Sequence, residues 1–252
     1  MNDVLSTFRS DLFAGRGVLV SGGSSGIGLA IAQGFAGLGA DVVATGTSEA
    51  KQAAARTDPA NRGITFARLD VRDAAAVGAF VSDLSRLDVL VNAQGIAKPV
   101  DEWTEQAFLD VMDVNLHSVM RLSSAAKPLL ETSRGSIINI ASMLSFLQDT
   151  VVPAYTTSKS GLLGLTRVLA HGWGPQGIRV NAIAPGYHRT ELTRPMWDNP
   201  LIADKFAQHA ALKRWGEVED VVGAALFLAS PAAAFVTGIC MPVDGGYVVG
   251  NV

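Results

Sequence analysis

The chain has 252 residues, of which 48% are hydrophobic and 17% charged, and its formal net charge is −3. This composition excludes a disordered chain, and the absence of a long basic run argues against a nucleic-acid partner. No stretch approaches the roughly 18 apolar residues of a membrane span, and residues 1–14 lack the apolar core of a secretory signal. We therefore expect a cytoplasmic protein with no membrane partner. Cys240 is the only cysteine and the four histidines show no ligand spacing, so we expect no required metal.

Short runs of apolar, often β-branched residues alternate along the chain with longer segments in which apolar residues recur every three or four positions. The short runs predict strands over residues 18–21, 42–45, 64–69, 89–92, 136–141, 179–184 and 239–243. The longer segments predict helices over residues 26–38, 74–84, 104–130, 155–173 and 218–228. This alternation predicts one α/β domain over 1–252, a single doubly wound parallel sheet (Rossmann fold) with helices on both faces.

Residues 186–219 interrupt this alternation with a long segment that shows no clear periodicity. Long loops in compact domains usually bind ligands, and open α/β sheets bind ligands beyond the carboxyl ends of their strands. Because the segment begins at such an end, we expect a substrate lid at about 187–217. An ordinary surface loop is the alternative.

The first predicted strand ends at Ser21 and is followed by a glycine-rich turn that fits two kinds of site. As a G-x-S-x-G elbow it could present Ser24 as a nucleophile, but such an elbow needs an oxyanion loop from an earlier strand, and none precedes it. As a phosphate-binding turn it needs only what is present. Gly22 allows the tight turn, Gly26 allows close backbone approach, and Gly28 lets the following helix pack near the strand. Ser24 and Ser25 could bind a phosphate or cap the helix.

A second group of residues follows the fifth predicted strand, which ends near Ser142. Tyr155 and Lys159 are four residues apart, so they lie on one face of a helix. A nearby ammonium favours the phenolate and lowers the pKa of a tyrosine, which otherwise lies near 10. Tyr155 is therefore a candidate general acid or base, and Ser142 could hydrogen-bond the same substrate oxygen.

These motifs resemble those of the short-chain dehydrogenase/reductase family over nearly the whole chain. The family motif T-G-x-x-x-G-x-G appears with Ser21 in place of threonine, and the motif Y-x-x-x-K appears as Tyr155 to Lys159. The resemblance implies hydride transfer between a nicotinamide and a carbonyl or carbinol carbon. It also implies a catalytic tetrad of Asn115, Ser142, Tyr155 and Lys159, in which Asn115 would hold a water that relays protons to Lys159.

The resemblance further implies which residues bind the cofactor. They are Gly22, Ser24, Ser25, Gly26, Ile27, Gly28, Thr47, Asp70, Val71, Asn92, Gly95, Tyr155, Lys159, Pro185, Gly186 and Thr190. Two departures affect this set. Residues 92–95 read N-A-Q-G where the family usually has N-N-A-G, so a structural asparagine is missing and the larger amide of Gln94 would lie beside the adenosine ribose. We expect the turn itself to be kept. Residues 45–48 contain neither the acid that binds a 2′-hydroxyl nor the arginine that pairs with a 2′-phosphate, so the cofactor is NAD or NADP.

Two stretches of the sequence resemble particular members of the family and imply a class of substrate. Residues 137–147 and 180–187 resemble 2-dehydro-3-deoxy-D-gluconate 5-dehydrogenase and related sugar-acid dehydrogenases, which implies a secondary alcohol or ketone of a sugar, polyol or sugar acid. Residues 143–145 could line the substrate pocket. His188, Arg189 and Arg194 could attract a carboxylate, although solvated surface positions explain them equally well.

Three further expectations complete the hypothesis. Residues 45–49 also resemble 3-oxoacyl-[acyl-carrier-protein] reductase, which is the alternative enzyme, and a catalytically silent dinucleotide-binding protein is the alternative of another class. Members of the family are commonly tetramers whose interfaces use the helices around 104–130 and 155–173. We therefore expect a homotetramer, in which Gly161 and Gly164 permit close helix approach.

Overall fold

The computed structural model describes residues 1–250, which form one parallel sheet flanked by helices. The strands are β1 (Gly17–Ser21), β2 (Asp41–Gly46), β3 (Ile64–Arg68), β4 (Val89–Asn92), β5 (Ser136–Ile140), β6 (Arg179–Pro185) and β7 (Cys240–Val243). The α-helices are α1 (Asn2–Leu5), α2 (Gly26–Gly37), α3 (Glu49–Thr57), α4 (Ala74–Ser82), α5 (Glu105–Met112), α6 (Ser118–Ser133), α7 (Pro153–Trp173), α8 (Arg194–Trp197), α9 (Pro200–His209) and α10 (Val222–Ala229).

The strand order β3-β2-β1-β4-β5-β6-β7 makes this a doubly wound sheet, as the sequence predicts. Strands are added on one side from β1 to β3, and the chain then crosses over to add β4 to β7 on the other side. The order therefore reverses between β1 and β4, whose last residues Ser21 and Asn92 are paired. Ligands of such sheets bind at the carboxyl ends of the strands beside this reversal.

The continuous apolar character of the central strands reflects burial on both faces. In β1, Val18 and Val20 pack into the core beneath α2 and α10, whereas Leu19 packs into the core beneath α4, α6 and α7. In β4, Val89 and Val91 point to the first core and Leu90 to the second. Because successive side chains of a strand point to opposite faces, each face needs its own apolar residues, and no polar alternation remains.

The helices differ from the predicted ones in several places. The short helix α1 was not predicted, and the helix predicted over 218–228 begins with a 3-10 turn at Val218–Val221. The helix predicted over 104–130 is divided into α5, a π-helical segment at Asp113–His117, and α6. The short helix α3 was missed, because of its nine residues only Gln52 and Ala55 are buried and they carry little apolar pattern. The segment 186–219 is not irregular throughout, since it contains α8 and α9. Within residues 1–250, no helix is long and apolar enough to cross a membrane.

Candidate active site

The glycine turn between β1 and α2 is tight because side chains are excluded from it. Gly22 has a φ of +75°, and a Cβ atom on it would lie 2.5 Å from the backbone nitrogen of Gln94. A Cβ atom on Gly28 would lie 2.2 Å from the carbonyl oxygen of Gly22. Gly26 also has a positive φ, +54°. Backbone alone therefore forms this wall, which lets a ligand approach the main-chain N–H groups closely.

The two serines of the turn do not close the start of α2. Ser25 occupies the N-cap position, but its side chain makes no capping hydrogen bond. Ser24 leans towards β2, where its Oγ would stand 2.5 Å from a Cβ atom on Gly46. The first N–H groups of α2 are therefore not capped by Ser25, which is the arrangement that favours an anion at a helix N-terminus.

A cavity of about 700 Å³ extends from this turn along the carboxyl ends of the strands. Its volume is typical of a small-molecule or cofactor site. Of the cofactor-binding residues expected from the sequence, all line the cavity except Asn92. The amide of Asn92 instead donates to Asn139 Oδ1 at 2.9 Å and Ser123 Oγ at 3.2 Å, inside the protein. The strand pattern could not show which way this side chain points.

Gln94 lines the cavity, but its amide is held by a hydrogen bond to α6. Its Nε2 atom donates to Ser118 Oγ at 3.0 Å, and its side chain is buried against α6. Its backbone packs against Gly22, so the turn after β4 is preserved. The amide therefore replaces the usual alanine without blocking the glycine turn.

The end of the cavity beside β2 and β3 is rich in polar groups. Asp70 accepts three hydrogen bonds from the Arg72 guanidinium, which holds the pKa of this carboxyl below its usual value. Lys51, in the first turn of α3, also lines the cavity, and its Nζ lies 2.6 Å from Glu191 Oε2 of the segment after β6. Lys51 and Arg72 lie outside residues 45–48, the stretch whose sequence suggests this role, and so they were not predicted.

Ser142, Tyr155 and Lys159 meet at the other end of the cavity. Ser142 lies two residues after β5, Tyr155 lies in the first turn of α7, and Lys159 lies one turn later. The Lys159 ammonium is 5.6 Å from the centre of the Tyr155 ring and donates to the carbonyl oxygen of Ile140 at 2.7 Å. The helical spacing that the sequence showed therefore brings these groups together.

Burial controls the electrostatics of this end of the cavity. It lowers the pKa of Lys159 to about 8, and it raises the pKa of Tyr155 above its ordinary value. A hydrogen bond with Ser142 opposes the rise for Tyr155, and the negative charge of Glu102 adds to it. The sequence led us to expect a lowered tyrosine pKa, but here the desolvation of the phenol outweighs the hydrogen bond with Ser142, and the pKa of Tyr155 is raised.

Asn115 lies in the π-helical segment between α5 and α6, where the helix widens by one residue. Its Oδ1 accepts from the backbone nitrogen of Ile96, and its Nδ2 donates to the Ile96 carbonyl, both at 2.9 Å. Nδ2 also donates to Ser158 Oγ at 3.1 Å. Both Asn115 Oδ1 and Lys159 Nζ lie 3.6 Å from the point where a Gly95 Cβ would stand. The asparagine therefore sits directly behind the lysine end of the cavity.

The residues expected to attract a substrate carboxylate do not share one place. His188 lines the cavity but is buried, and burial lowers its pKa, which disfavours the positive charge that would attract a carboxylate. Arg189 and Arg194 line a separate cleft behind Gly26, where Arg189 approaches Glu217 at 3.4 Å and Arg194 stacks on Trp197. The three residues expected beside the substrate, 143–145, do not line the cavity either. Among residues 1–250, no group of three His, Cys, Asp or Glu side chains could hold a metal ion.

Known proteins resemble this chain over nearly its full length. A family model described as Enoyl-(Acyl carrier protein) reductase matches residues 22–248. The 2-dehydro-3-deoxy-D-gluconate 5-dehydrogenase of Bacillus subtilis is 38% identical over 240 residues, 92% of this chain and 94% of that protein. The gluconate 5-dehydrogenase of Gluconobacter oxydans is 36% identical over 250 residues, 95% of this chain and 98% of that protein.

A solved structure extends the comparison to three dimensions. The gluconate 5-dehydrogenase from Burkholderia cenocepacia J2315, in complex with NADP and tartrate, has a TM-score of 0.88 and 33% identity, covering 96% of this chain and 99% of that one. Fold, glycine turn and cavity thus define an oxidoreductase that uses NAD or NADP on CH–OH groups. The chain belongs to the short-chain dehydrogenase/reductase family.

Proposed function

We propose that this enzyme interconverts a secondary alcohol and a ketone of a sugar, polyol or sugar acid. The nicotinamide, when bound, supplies or accepts the hydride. Tyr155 gives a proton to the substrate oxygen during reduction and takes it back during oxidation, and Ser142 hydrogen-bonds the same oxygen. The observation that carries this proposal is the convergence of Ser142, Tyr155 and Lys159 in the cavity that begins at the glycine turn.

The remaining members of the tetrad support this proton transfer. Lys159 places a cation 5.6 Å from the Tyr155 ring, so its charged form favours loss of the phenol proton. Asn115 holds the backbone of Ile96 beside it.

We propose that the dinucleotide lies along the glycine turn and the polar end of the cavity, and that residues 187–217 form the substrate lid. Contacts among Tyr187, Phe206 and Trp215, with ring centres 4.0–6.1 Å apart, support a lid that moves as one unit.

The experiment that tests the activity is absorbance at the reduced-nicotinamide band, measured with both dinucleotides and three substrate classes. Polyols, sugar acids and acetoacetyl thioesters should be compared at equal concentrations. Turnover of polyols or sugar acids is the expected result, in keeping with the names of the similar enzymes. Turnover confined to acetoacetyl thioesters would instead support a 3-oxoacyl-[acyl-carrier-protein] reductase. Dinucleotide binding without turnover of any class would support the catalytically silent alternative.

We also propose that NADP is preferred over NAD. Position 46 is a glycine, and a side chain there would crowd Ser24 Oγ at 2.5 Å, so no acid at the end of β2 repels a 2′-phosphate. The hydroxyls of Thr47 and Ser48 and the ammonium of Lys51 line this part of the cavity. The similar enzyme of Burkholderia cenocepacia was solved with NADP. We propose that the Lys51 ammonium leaves Glu191 and binds the 2′-phosphate when NADP is present.

A binding measurement tests this preference without turnover. Lys51→Met should weaken the binding of NADPH by about tenfold, the value of one charge-assisted hydrogen bond, and leave NADH binding unchanged. The matched control is Lys127→Met, because Lys127 is a surface lysine that also pairs with a glutamate, Glu131, at 2.8 Å. Equal losses for NADH and NADPH, or no loss for either, would refute the role of Lys51.

A cytoplasmic location stays a prediction from the sequence.

A further inference from the structure

Glu102 is a buried acid that the proposed reaction does not explain. Among residues 1–250, the acidic side chains classed as buried are Asp88 and Glu102. Asp88 forms ion pairs with Arg16 and Arg86. Glu102 has no exposed surface and, within the described part of the chain, no cationic side chain within ion-pair distance. Burial of a carboxylate is costly unless hydrogen bonds compensate it, so the partners of Glu102 indicate its purpose.

Those partners are two backbone N–H groups. Oε1 accepts from the backbone nitrogen of Lys98 and Oε2 accepts from the backbone nitrogen of Tyr155, each at 2.8 Å. Tyr155 is the third residue of α7, one of the positions whose N–H has no partner within a helix. The residue at the N-cap, Val152, has no side chain that could accept this bond. Glu102 therefore caps α7 from 53 residues away in the sequence.

A second connection runs parallel to the first. Glu102 links Tyr155 to Lys98, and Asn115 links Ser158 to Ile96. The two links join the same stretch of chain after β4 to the same face of α7, about one helical turn apart. Ile96 and Tyr155 both line the cavity, so this pair of links fixes the distance between two of its walls.

We propose that Glu102 is a positioning residue for the reaction, acting through α7 on the place and the charge state of the Tyr155 hydroxyl. The hydrogen bond from the Tyr155 backbone nitrogen to Glu102 fixes the start of α7 and with it the position of the Tyr155 hydroxyl. The charge acts in the same neighbourhood, because the carboxylate of Glu102 raises the pKa of Tyr155. The other titratable group close to Tyr155 is Lys159 on its own helix, whose ammonium lies 5.6 Å from the centre of the Tyr155 ring. This inference rests on the proposed dehydrogenase activity.

The test compares Glu102→Gln and Glu102→Asp with the wild-type enzyme and with Glu105→Gln, a change at an exposed acid in the first turn of α5. The glutamine keeps the shape, loses the charge and can accept only one of the two bonds. We expect kcat to fall by about tenfold to a hundredfold, since small displacements of a catalytic group have effects of this size. The affinity of the Glu102 variants for the dinucleotide should equal that of the wild type. The control Glu105→Gln should keep the wild-type kcat. Amide hydrogen exchange of residues 153–158 should become faster in Glu102→Gln.

The pH profile separates positioning from simple structural support. Oxidation of the alcohol needs the phenolate, so its rate rises with pH through the pKa of Tyr155. Without the negative charge of residue 102 that pKa falls, and the midpoint should move to lower pH by about half a unit or more in Glu102→Gln. Glu102→Asp keeps the charge, so its midpoint should stay in place while kcat falls, which also carries the test if Glu102→Gln does not fold.

The outcomes distinguish this inference from the proposed function. An inactive wild-type enzyme would refute the proposed function. An active wild-type enzyme together with a folded variant of unchanged kcat would overturn the role of Glu102. A lower kcat in Glu102→Gln with an unmoved midpoint would also overturn it, because Glu102 would then only support the fold.

Discussion

Lys159 is a buried lysine whose positive charge lowers the stability of the folded protein. It is 3% exposed, and burial lowers its pKa to about 8 from 10.5. Its ammonium makes one hydrogen bond, to the Ile140 carbonyl, and burial lowers its pKa. A position that only stabilised the core would carry an apolar residue. The lysine is therefore best explained by the proton chemistry of the neighbouring Tyr155.

We predict that Lys159→Met abolishes most turnover yet stabilises the protein by about 1–3 kcal/mol at pH 7. The unfolded chain holds the lysine proton more tightly than the folded one, so wild-type stability should rise with pH between about 8 and 10.5. The methionine variant should lack this rise. Urea unfolding at pH 7, 8.5 and 10 measures both effects. A variant less stable than wild type at all three values would contradict the prediction.

Residues differ in how far the sequence alone could assign them. Tyr155 and Lys159 are predictable because a four-residue spacing on a helix fixes their relation. Glu102 is not, since its partner Tyr155 is 53 residues away and a single glutamate in a polar stretch carries no pattern. Asn92 is predictable as the end of a strand, but its side-chain direction depends on Ser123 and Asn139 from other elements.

At the scale of elements, the glycine turn is the feature on which the cavity depends. A Cβ atom on Gly28 would stand 2.2 Å from the Gly22 carbonyl oxygen, and this contact is to backbone that cannot swing away. The start of α2 would have to move from β1, taking its N–H groups with it.

We predict that Gly28→Ala weakens dinucleotide binding by at least about tenfold, because the phosphate-binding N–H groups are displaced. The control is Gly78→Ala in α4, where a Cβ atom meets nothing within 4 Å. Dinucleotide affinity measured by fluorescence titration should be unchanged in the control. Wild-type affinity in Gly28→Ala would show that the turn does not hold the ligand.

The elements that sequence analysis missed carry weak patterns. The segment at Asp113–His117 keeps a helical apolar pattern, so its π-helical geometry appears only in the hydrogen bonds. The helix α9 had a local signal, since Asn199 caps it by accepting from Leu201 and Ile202, and Pro200 follows as its first residue. An Asn-Pro pair is typical of a helix start, and the prediction of an irregular segment overlooked it.

At the scale of the whole molecule, the parallel sheet follows from the sequence because seven apolar strands need two covered faces. The assembly does not follow from one chain. Large apolar side chains are nonetheless exposed near the helices named for the interface: Leu109 of α5 is 52% exposed, Met120 of α6 44% and Val168 of α7 68%. Gly164 of α7 has open space above it. Burying these exposed apolar side chains against a second copy of the chain would stabilise an assembly.

We propose on this basis that the enzyme is a homotetramer, and we predict that Val168→Glu weakens the assembly. Placing a charge at a packed apolar interface leaves it without a partner in the assembly. Light scattering at micromolar concentration should give a tetramer for the wild type and smaller species for the variant. The control is Thr57→Glu, at the end of α3 and away from α5 to α7. A monomeric wild type would contradict the proposal.

The most direct test of the central claim, proton transfer by Tyr155 beside a bound nicotinamide, is the turnover of Tyr155→Phe with its dinucleotide affinity measured in parallel. The variant loses only the hydroxyl. We predict that it binds the dinucleotide as the wild type does and that kcat falls by about 10²–10⁴-fold, the usual contribution of a general acid or base. Turnover at the wild-type rate would contradict the account.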